Sequence, residues 1–221
     1  MAEVIKEKTT DNCIYFNGAI GGLIMTKVFD SNSLINNMRL TGEKLAEYAL
    51  SIEENILEKG ILKQTTIKFD VELNNTIFQY YKFLGILGNE CYKNILTGKY
   101  YLKTEISILQ ISDITFLLIP GEIFPELVYG GSVINPESDK TNPETILEIA
   151  SKNNVKNLII IGLCNDEIGY IVPPSDFLVN NEYPYLKEYT DSLGRNHYEE
   201  TNSVGPNAAY ELIKAIKKAF K

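Results

Sequence analysis

The chain has 221 residues, of which 44% are hydrophobic, and its 21 Lys and Arg stand against 29 Asp and Glu for a formal charge of −8. That length and apolar content suffice to bury a core, which excludes a disordered or fibrous protein. The acidic balance leaves no basic patch for nucleic acid or for an anionic membrane surface.

In chain order, residues 13–16 (CIYF) read as a short buried strand, and the NGAIGG that follows marks a place where the backbone must turn or approach something closely. From Thr41 the apolar residues Leu45, Tyr48, Ala49, Ile52, Ile56 and Leu57 recur at three and four, the pattern of an amphipathic helix capped by Thr41 and stopped by Gly60. Residues 65–73 alternate, with Ile67, Phe69, Val71 and Leu73 on one face and Lys68, Asp70 and Glu72 on the other, as in a half-solvated strand. Residues 76–87 are apolar almost all round and read as a buried helix.

Residues 99–111 and 114–119 form a hairpin turning at Ser112-Asp113, and its second strand, ITFLLI, is apolar enough to be central. Pro120-Gly121 ends that strand, with a short helix over 123–129. Pro143 suits the first position of a helix at 143–153. Residues 155–163 are the best candidate for a buried parallel strand. An irregular, aromatic-rich segment spans 165–204, and a helix from Pro206 to Phe220 closes the chain. Strands and helices alternate around one hairpin, so the expected fold class is α/β, a mixed sheet flanked by helices, in a single domain over 1–221.

Three cysteines, Cys13, Cys91 and Cys164, close no disulfide framework and match no zinc spacing, so reduced thiols are expected. No apolar run reaches the roughly 20 residues that cross a bilayer, so an integral membrane protein is not expected. MAEVIKEKTTDN lacks the apolar block of a signal peptide, and localisation stays open. The single histidine, His197, sits in a polar loop where an exposed, unliganded imidazole is the expectation.

Two strand ends carry candidate chemistry. ITFLLI runs into Pro120-Gly121-Glu122, and NLIIIGL runs into CNDEIGY, delivering Asn165, Asp166 and Tyr170 to the carboxyl edge of the sheet, where ligands of open α/β sheets bind. If the two strands are parallel neighbours, Glu122 and Tyr170 face one crevice. The competing reading has Glu122 capping the next helix, Asn165-Asp166 in an Asx-type turn and Tyr170 as a packed ring. NGAIGG is no nucleotide fingerprint; it suits a glycine wall near a site or a tight turn equally.

Taken together, FNGAIGG at 16–22, PGEIFPEL at 120–127, GLCNDEIGYIVPPSDF at 162–177 and HYEETNSVGPNAA at 197–209 resemble the neutral, non-lysosomal ceramidase family in the later half of its catalytic domain. That family uses one zinc ion to hydrolyse the amide between a sphingoid base and a fatty acid. The resemblance implies that Glu122 and Tyr170 occupy zinc-ligand positions and that Tyr198 lines the site beside the scissile amide as a catalytic residue. A ceramide-like lipid would be the substrate.

The family's histidine ligands come from an earlier half with no counterpart here, and its C-terminal β-sandwich is likewise without one. Where the family has a glycine-rich segment with a catalytic serine, this chain has Leu23, Ile24 and Met25. A catalytic zinc needs three protein ligands, so the expectation is a portion of a ceramidase-like amidohydrolase, inactive as this chain alone and binding no zinc tightly, whose partner would be a histidine-bearing half. The alternative is a non-catalytic module that binds a ligand or associates with itself as a homo-oligomer. An unrelated hydrolase would need its nucleophile among Ser112, Ser132 and the cysteines, without a suitable base nearby in sequence.

Overall fold

The structure, a computed structural model, describes residues 1–9, 13–23, 33–53, 60–88, 90–131 and 135–220. The chain divides into two compact units, one of residues 1–16 and 23–59, the other of 17–22 and 60–221. The first contains helices α1 (Ala2–Thr9) and α2 (Leu34–Ser51). Helix α2 begins seven residues before the expected Thr41 because the Ser33 hydroxyl accepts from the Asn36 N–H at 3.3 Å and caps it there. It ends at Ser51, where Ile52 takes extended backbone, short of the expected Gly60; Ile56 and Leu57 lie outside the described residues, as do Ile24, Met25 and Ser132. Residues 13–16 are not a buried strand: they are irregular, with Ile14, Tyr15 and Phe16 exposed.

The second unit holds the mixed sheet. In chain order it comprises β1 (Leu62–Glu72), α3 (Thr76–Phe83), β2 (Cys91–Lys93), β3 (Tyr100–Ile111), β4 (Ile114–Leu118), β5 (Glu122–Ile123), α4 (Pro125–Tyr129), α5 (Ile146–Lys152), β6 (Asn157–Ile161), β7 (Tyr170–Ile171), β8 (Tyr189–Thr190), β9 (Asn196–His197) and α6 (Ala208–Ala219). Two 3-10 turns, Pro174–Asp176 and Glu199–Asn202, lie in the 165–204 segment. The sheet order is β1-β3-β4-β6, antiparallel until β4 meets β6 in parallel, with β2 added on β3.

The alternation in β1 is the expected one, and it sets the register: Ile67 opposes Ile106 and Val71 opposes Leu102 on the covered face. Helix α6 lies over β1 and β3, burying Ala209, Leu212, Ile213 and Ile216 in one core with Val71, Ile106, Leu117 and Ile119. β4 is interior, between β3 and β6, as its continuous apolar run implies. β6 is parallel as expected, but it borders the sheet among the described strands and leaves Asn157 and Ile159 exposed.

Two helices depart from expectation. α3 forms, but Tyr80 and, at its end, Phe83 are exposed. α5 starts at Ile146, three residues after Pro143, because Thr145 and Glu148 form a capping box in which each accepts from the other's backbone N–H.

Candidate functional site

The site is built where the parallel pair β4 and β6 runs out. Pro120-Gly121 breaks the ladder, and it resumes two residues later as β5 beside β7, again parallel, with Glu122 directly opposite Tyr170. Backbone bonds stitch the break: Ile119 N–H to Ile161 C=O at 2.8 Å, Ile168 N–H to Pro120 C=O at 3.0 Å and Glu122 N–H to Gly169 C=O at 3.2 Å. A Cβ on Gly121 would stand 2.5 Å from the Gly169 carbonyl oxygen, so glycine is what lets the two chains touch. Direct partners on parallel strands present their side chains to the same face. Glu122 does not cap α4, whose N-cap is Phe124 with no side-chain bond.

NGAIGG is the close approach. The Gly21 N–H bonds the Ile123 carbonyl at 2.9 Å, the Gly162 N–H bonds the Asn17 carbonyl at 2.9 Å, and a Cβ on Gly21 would fall 2.7 Å from the Glu122 carbonyl oxygen. The glycine wall therefore backs the strand that carries Glu122.

The crevice is about 620 Å³ and is lined by Glu122, Glu167, Tyr170, Tyr198 and Asn202 together with the apolar wall of Phe78, Leu87, Leu102, Ile168 and Val204, and the backbone of Gly169. Tyr170 packs edge-on between Phe124 at 6.4 Å and Tyr198 at 6.0 Å, ring centre to ring centre. Glu122, Tyr170 and Tyr198 are thus brought together. Asn165 and Asp166 are not part of the lining; they fasten the loop to β3, Asn165 Nδ2 donating to Ser107 Oγ at 3.0 Å and Thr104 Oγ1 donating to Asp166 Oδ2 at 2.9 Å.

Among the described residues, no Lys, Arg or His lines the crevice. Burial pushes the Glu122 carboxyl above its ordinary value. Burial also raises Glu167, aided by the charges of Glu122 and Asp166. Tyr170 is raised by burial against the effect of its hydroxyl contact with Tyr198, and Tyr198 is raised further, by burial and by that same contact. Both phenols therefore stay protonated at neutral pH. A phenol that donates beside a carboxyl that accepts matches the carbonyl and N–H of an amide.

His197 is not exposed. It is 5% accessible, with Nδ1 2.8 Å from Glu200 Oε1 and Nε2 3.3 Å from Asp191 Oδ2. Burial alone would lower its pKa, but the two carboxylates and Asp176 hold it up at about 9, so the ring is an imidazolium at neutral pH. Arg195 donates from Nε to Asp191 at 2.8 Å, and Asn135 Nδ2 donates to the same carboxylate at 2.9 Å. This network braces the 165–204 segment, and the His197–Glu200 bond closes around Tyr198 and Glu199. On the crevice's other side, Asn75 caps α3 and donates to the Thr201 and Ser203 carbonyls at 3.0 and 2.9 Å, pinning the 3-10 turn.

Sequence reasoning missed the bracing residues Asn75, Asn135, Asp191 and Glu200 and the apolar wall. Asn75 alone had a local signal, an Asn immediately before a helical run. A zinc ion asks for three protein donors. The crevice offers oxygens alone, the Glu122 and Glu167 carboxyls and the protonated Tyr170 and Tyr198 phenols, His197 is held by its own carboxylates, and no group of three or more His, Cys, Asp or Glu among the described residues is arranged to hold a metal. The donor set does not fit a complete zinc site.

No family model matches the chain, and no curated protein matches it. Among solved structures it is similar to the crystal structure of neutral ceramidase from Pseudomonas aeruginosa, with a TM-score of 0.52 at 12% sequence identity, over 99% of this chain and 39% of that one. This chain therefore spans well under half of that structure's length, and the likeness is one of fold: a distant ceramidase-like α/β architecture.

Proposed function

We propose that this chain is a ceramidase-like portion whose crevice receives the amide group of a ceramide-type N-acyl lipid. Glu122 accepts from the amide N–H, Tyr170 donates to its carbonyl, Tyr198 orients the group from the side, and the acyl or base chain lies along Phe78, Leu102 and Val204. The observation that carries this reading is the Glu122–Tyr170 partnership across two parallel strands at the edge of the sheet. The ceramidase-like fold supports it.

In a zinc amidohydrolase, Glu122 and Tyr170 would be two of the metal's oxygen donors, and imidazoles would have to come from another polypeptide segment, because His197 is the one histidine here. A bound zinc supplies Lewis acidity toward water and carbonyl. Without those donors the chain is a binding module and not a hydrolase. The second reading, a non-catalytic module derived from the same fold, is favoured by the crevice's own donor set.

Zinc content after metal loading and gel filtration, measured for the wild type and for Glu122→Ala, separates the two. Glu122-dependent zinc supports the hydrolase portion, whereas none supports the module. A fluorescent short-chain ceramide should bind the wild type and bind Tyr170→Phe about tenfold more weakly, the loss of roughly one hydrogen bond. Equal binding by the wild type and by a Glu122→Ala, Tyr170→Phe double variant would refute the crevice assignment.

A further inference from the structure

Helix α2 carries a pattern that the crevice does not use. Leu34, Met38, Thr41, Leu45, Tyr48 and, at the C-cap, Ile52 follow one another at intervals of four, three, four, three and four, which sets them in one stripe along the helix. Such spacing marks the buried face of a helix, yet the stripe lies in water. Leu34, Met38, Leu45, Tyr48 and Ile52 are between 42% and 78% exposed, and Thr41 is half-buried. Helix α1 packs against α2, but the buried residue of α2 is Ala46, roughly a third of a turn round the helix from the stripe.

We propose that the stripe is covered by α2 of a second copy of this chain, with the two helices antiparallel. A mean repeat of about 3.5 residues is the one at which another helix seats its side chains between those of the first along the whole contact, whereas a helix lying on a sheet takes a broader stripe with a repeat of about 3.6. The intervals also read the same in both directions. A two-fold axis at the middle of the helix therefore sets Leu34 against the partner's Ile52, Met38 against the partner's Tyr48 and Thr41 against the partner's Leu45. That is the self-complementarity a two-fold interface demands. Neither a lipid surface nor an unlike protein requires intervals that read the same both ways.

Charge and area agree with a like partner. The acids of α2, Glu43 and Glu47, stand on the side of the helix away from the stripe, and Glu43 pairs with Arg39 at 3.5 Å, so a chain of charge −8 brings no helix carboxylate into the contact. Ile35, Gly42 and Ala49 border the stripe on one edge, and Asn37, Lys44 and Ser51 border it on the other, where the stem of Lys44 can reach water. Covering a side chain of this size removes roughly 100 Å² from water. Six from each copy would bury on the order of 1,200 Å² together, the lower end of what specific interfaces bury.

The test is sedimentation velocity of the full chain over a wide range of concentration, where the wild type should populate a dimer. Met38→Lys, Leu45→Lys changes two exposed side chains and should keep the circular dichroism of the wild type while raising the dissociation constant at least tenfold. Phe83→Ser, at an exposed position off the stripe, is the control and should dimerise like the wild type. The direction of pairing is tested by Leu34→Glu, Ile52→Lys, which should stay dimeric because antiparallel helices set each new acid beside the partner's new base. Leu34→Glu, Ile52→Glu should dissociate. A wild type that is monomeric at every concentration, a Met38→Lys, Leu45→Lys variant that dimerises like the wild type, equal loss in the control, or the reverse order of the two charge variants would overturn the proposal. So would a monomer whose Met38 and Tyr48 resist hydroxyl-radical oxidation, which would assign the stripe to another part of the same chain.

Discussion

An imidazolium sealed between Asp191 and Glu200 is a commitment of charge that the fold must keep satisfied. Removing one partner from such a buried pair costs about 3 to 5 kcal/mol, so His197→Gln should lower the melting temperature by roughly 10 °C in a chain of this size. Because the histidine is single, its C2 proton is an unambiguous reporter, and its NMR titration should have a midpoint near 9. A pKa raised above its unfolded value of about 6.5 contributes stability that is full below pH 6.5 and is lost as pH rises through 9. A midpoint near 6.5 would mean that the ring is solvated. Little of this was legible: Asp191 and Glu200 lie six and three residues from His197 in an irregular loop with no period to place them, and Asn135 lies 62 residues away, so only the folded loop joins them. Glu122, Tyr170 and Tyr198 could be nominated because each follows a strand end or a motif, yet their convergence depends on register, which no local pattern encodes.

At the scale of elements, glycines set how close the site's walls can come. Gly21→Ala would drive a methyl group into the Glu122 carbonyl and the Ile123 backbone. Overpacking of that kind costs about 1 to 3 kcal/mol, which urea unfolding would register. Gly169→Ala should be worse, because its Cβ would collide with the Asn202 carbonyl and its φ is +87°. It should displace the 3-10 turn and weaken ceramide binding, while Gly194→Ala, at an equally positive φ with open space around it, should cost stability and leave binding unchanged.

The long elements were legible because alternation in β1 and the 3-to-4 spacing in α6 are written in the residues themselves. β5 and β7 were not. Two residues carry no period, and each is a strand solely by virtue of the other. The starts of α2 and α5 were misplaced for a related reason: Ser33 and the Thr145–Glu148 box outcompeted Thr41 and Pro143 through hydrogen bonds that spacing alone does not rank.

Across the whole molecule, two sets of carboxyls oppose one another. Burial raises Glu122, Glu167, Asp176 and Glu199, so the native state takes up protons more readily than the unfolded chain, and stability grows as pH falls from neutral toward their unfolded values. Glu72, whose burial is outweighed by Lys99 and Asn74, is lowered, and Glu148 is lowered by the Thr145 backbone; both lose their contribution at still lower pH. With His197 charged throughout that range, the melting temperature should peak near about pH 5, between the two sets. A steady rise from pH 5 to 9 would contradict this balance. The fold class was legible from the order of elements, but the crevice's brace was not, since the bonds from Asn75 to Ser203 and from Asn135 to Asp191 join residues 128 and 56 apart through tertiary structure alone.

The most direct measurement is a crystal structure of the chain with a short-chain ceramide. The amide should lie between Glu122 and Tyr170, with its nitrogen toward the carboxyl and its oxygen toward the phenol. Density instead in the polar cleft at the opposite end of the sheet, beside Lys63, Gln110 and Asn157, or an acid and a phenol facing away from each other, would contradict the account.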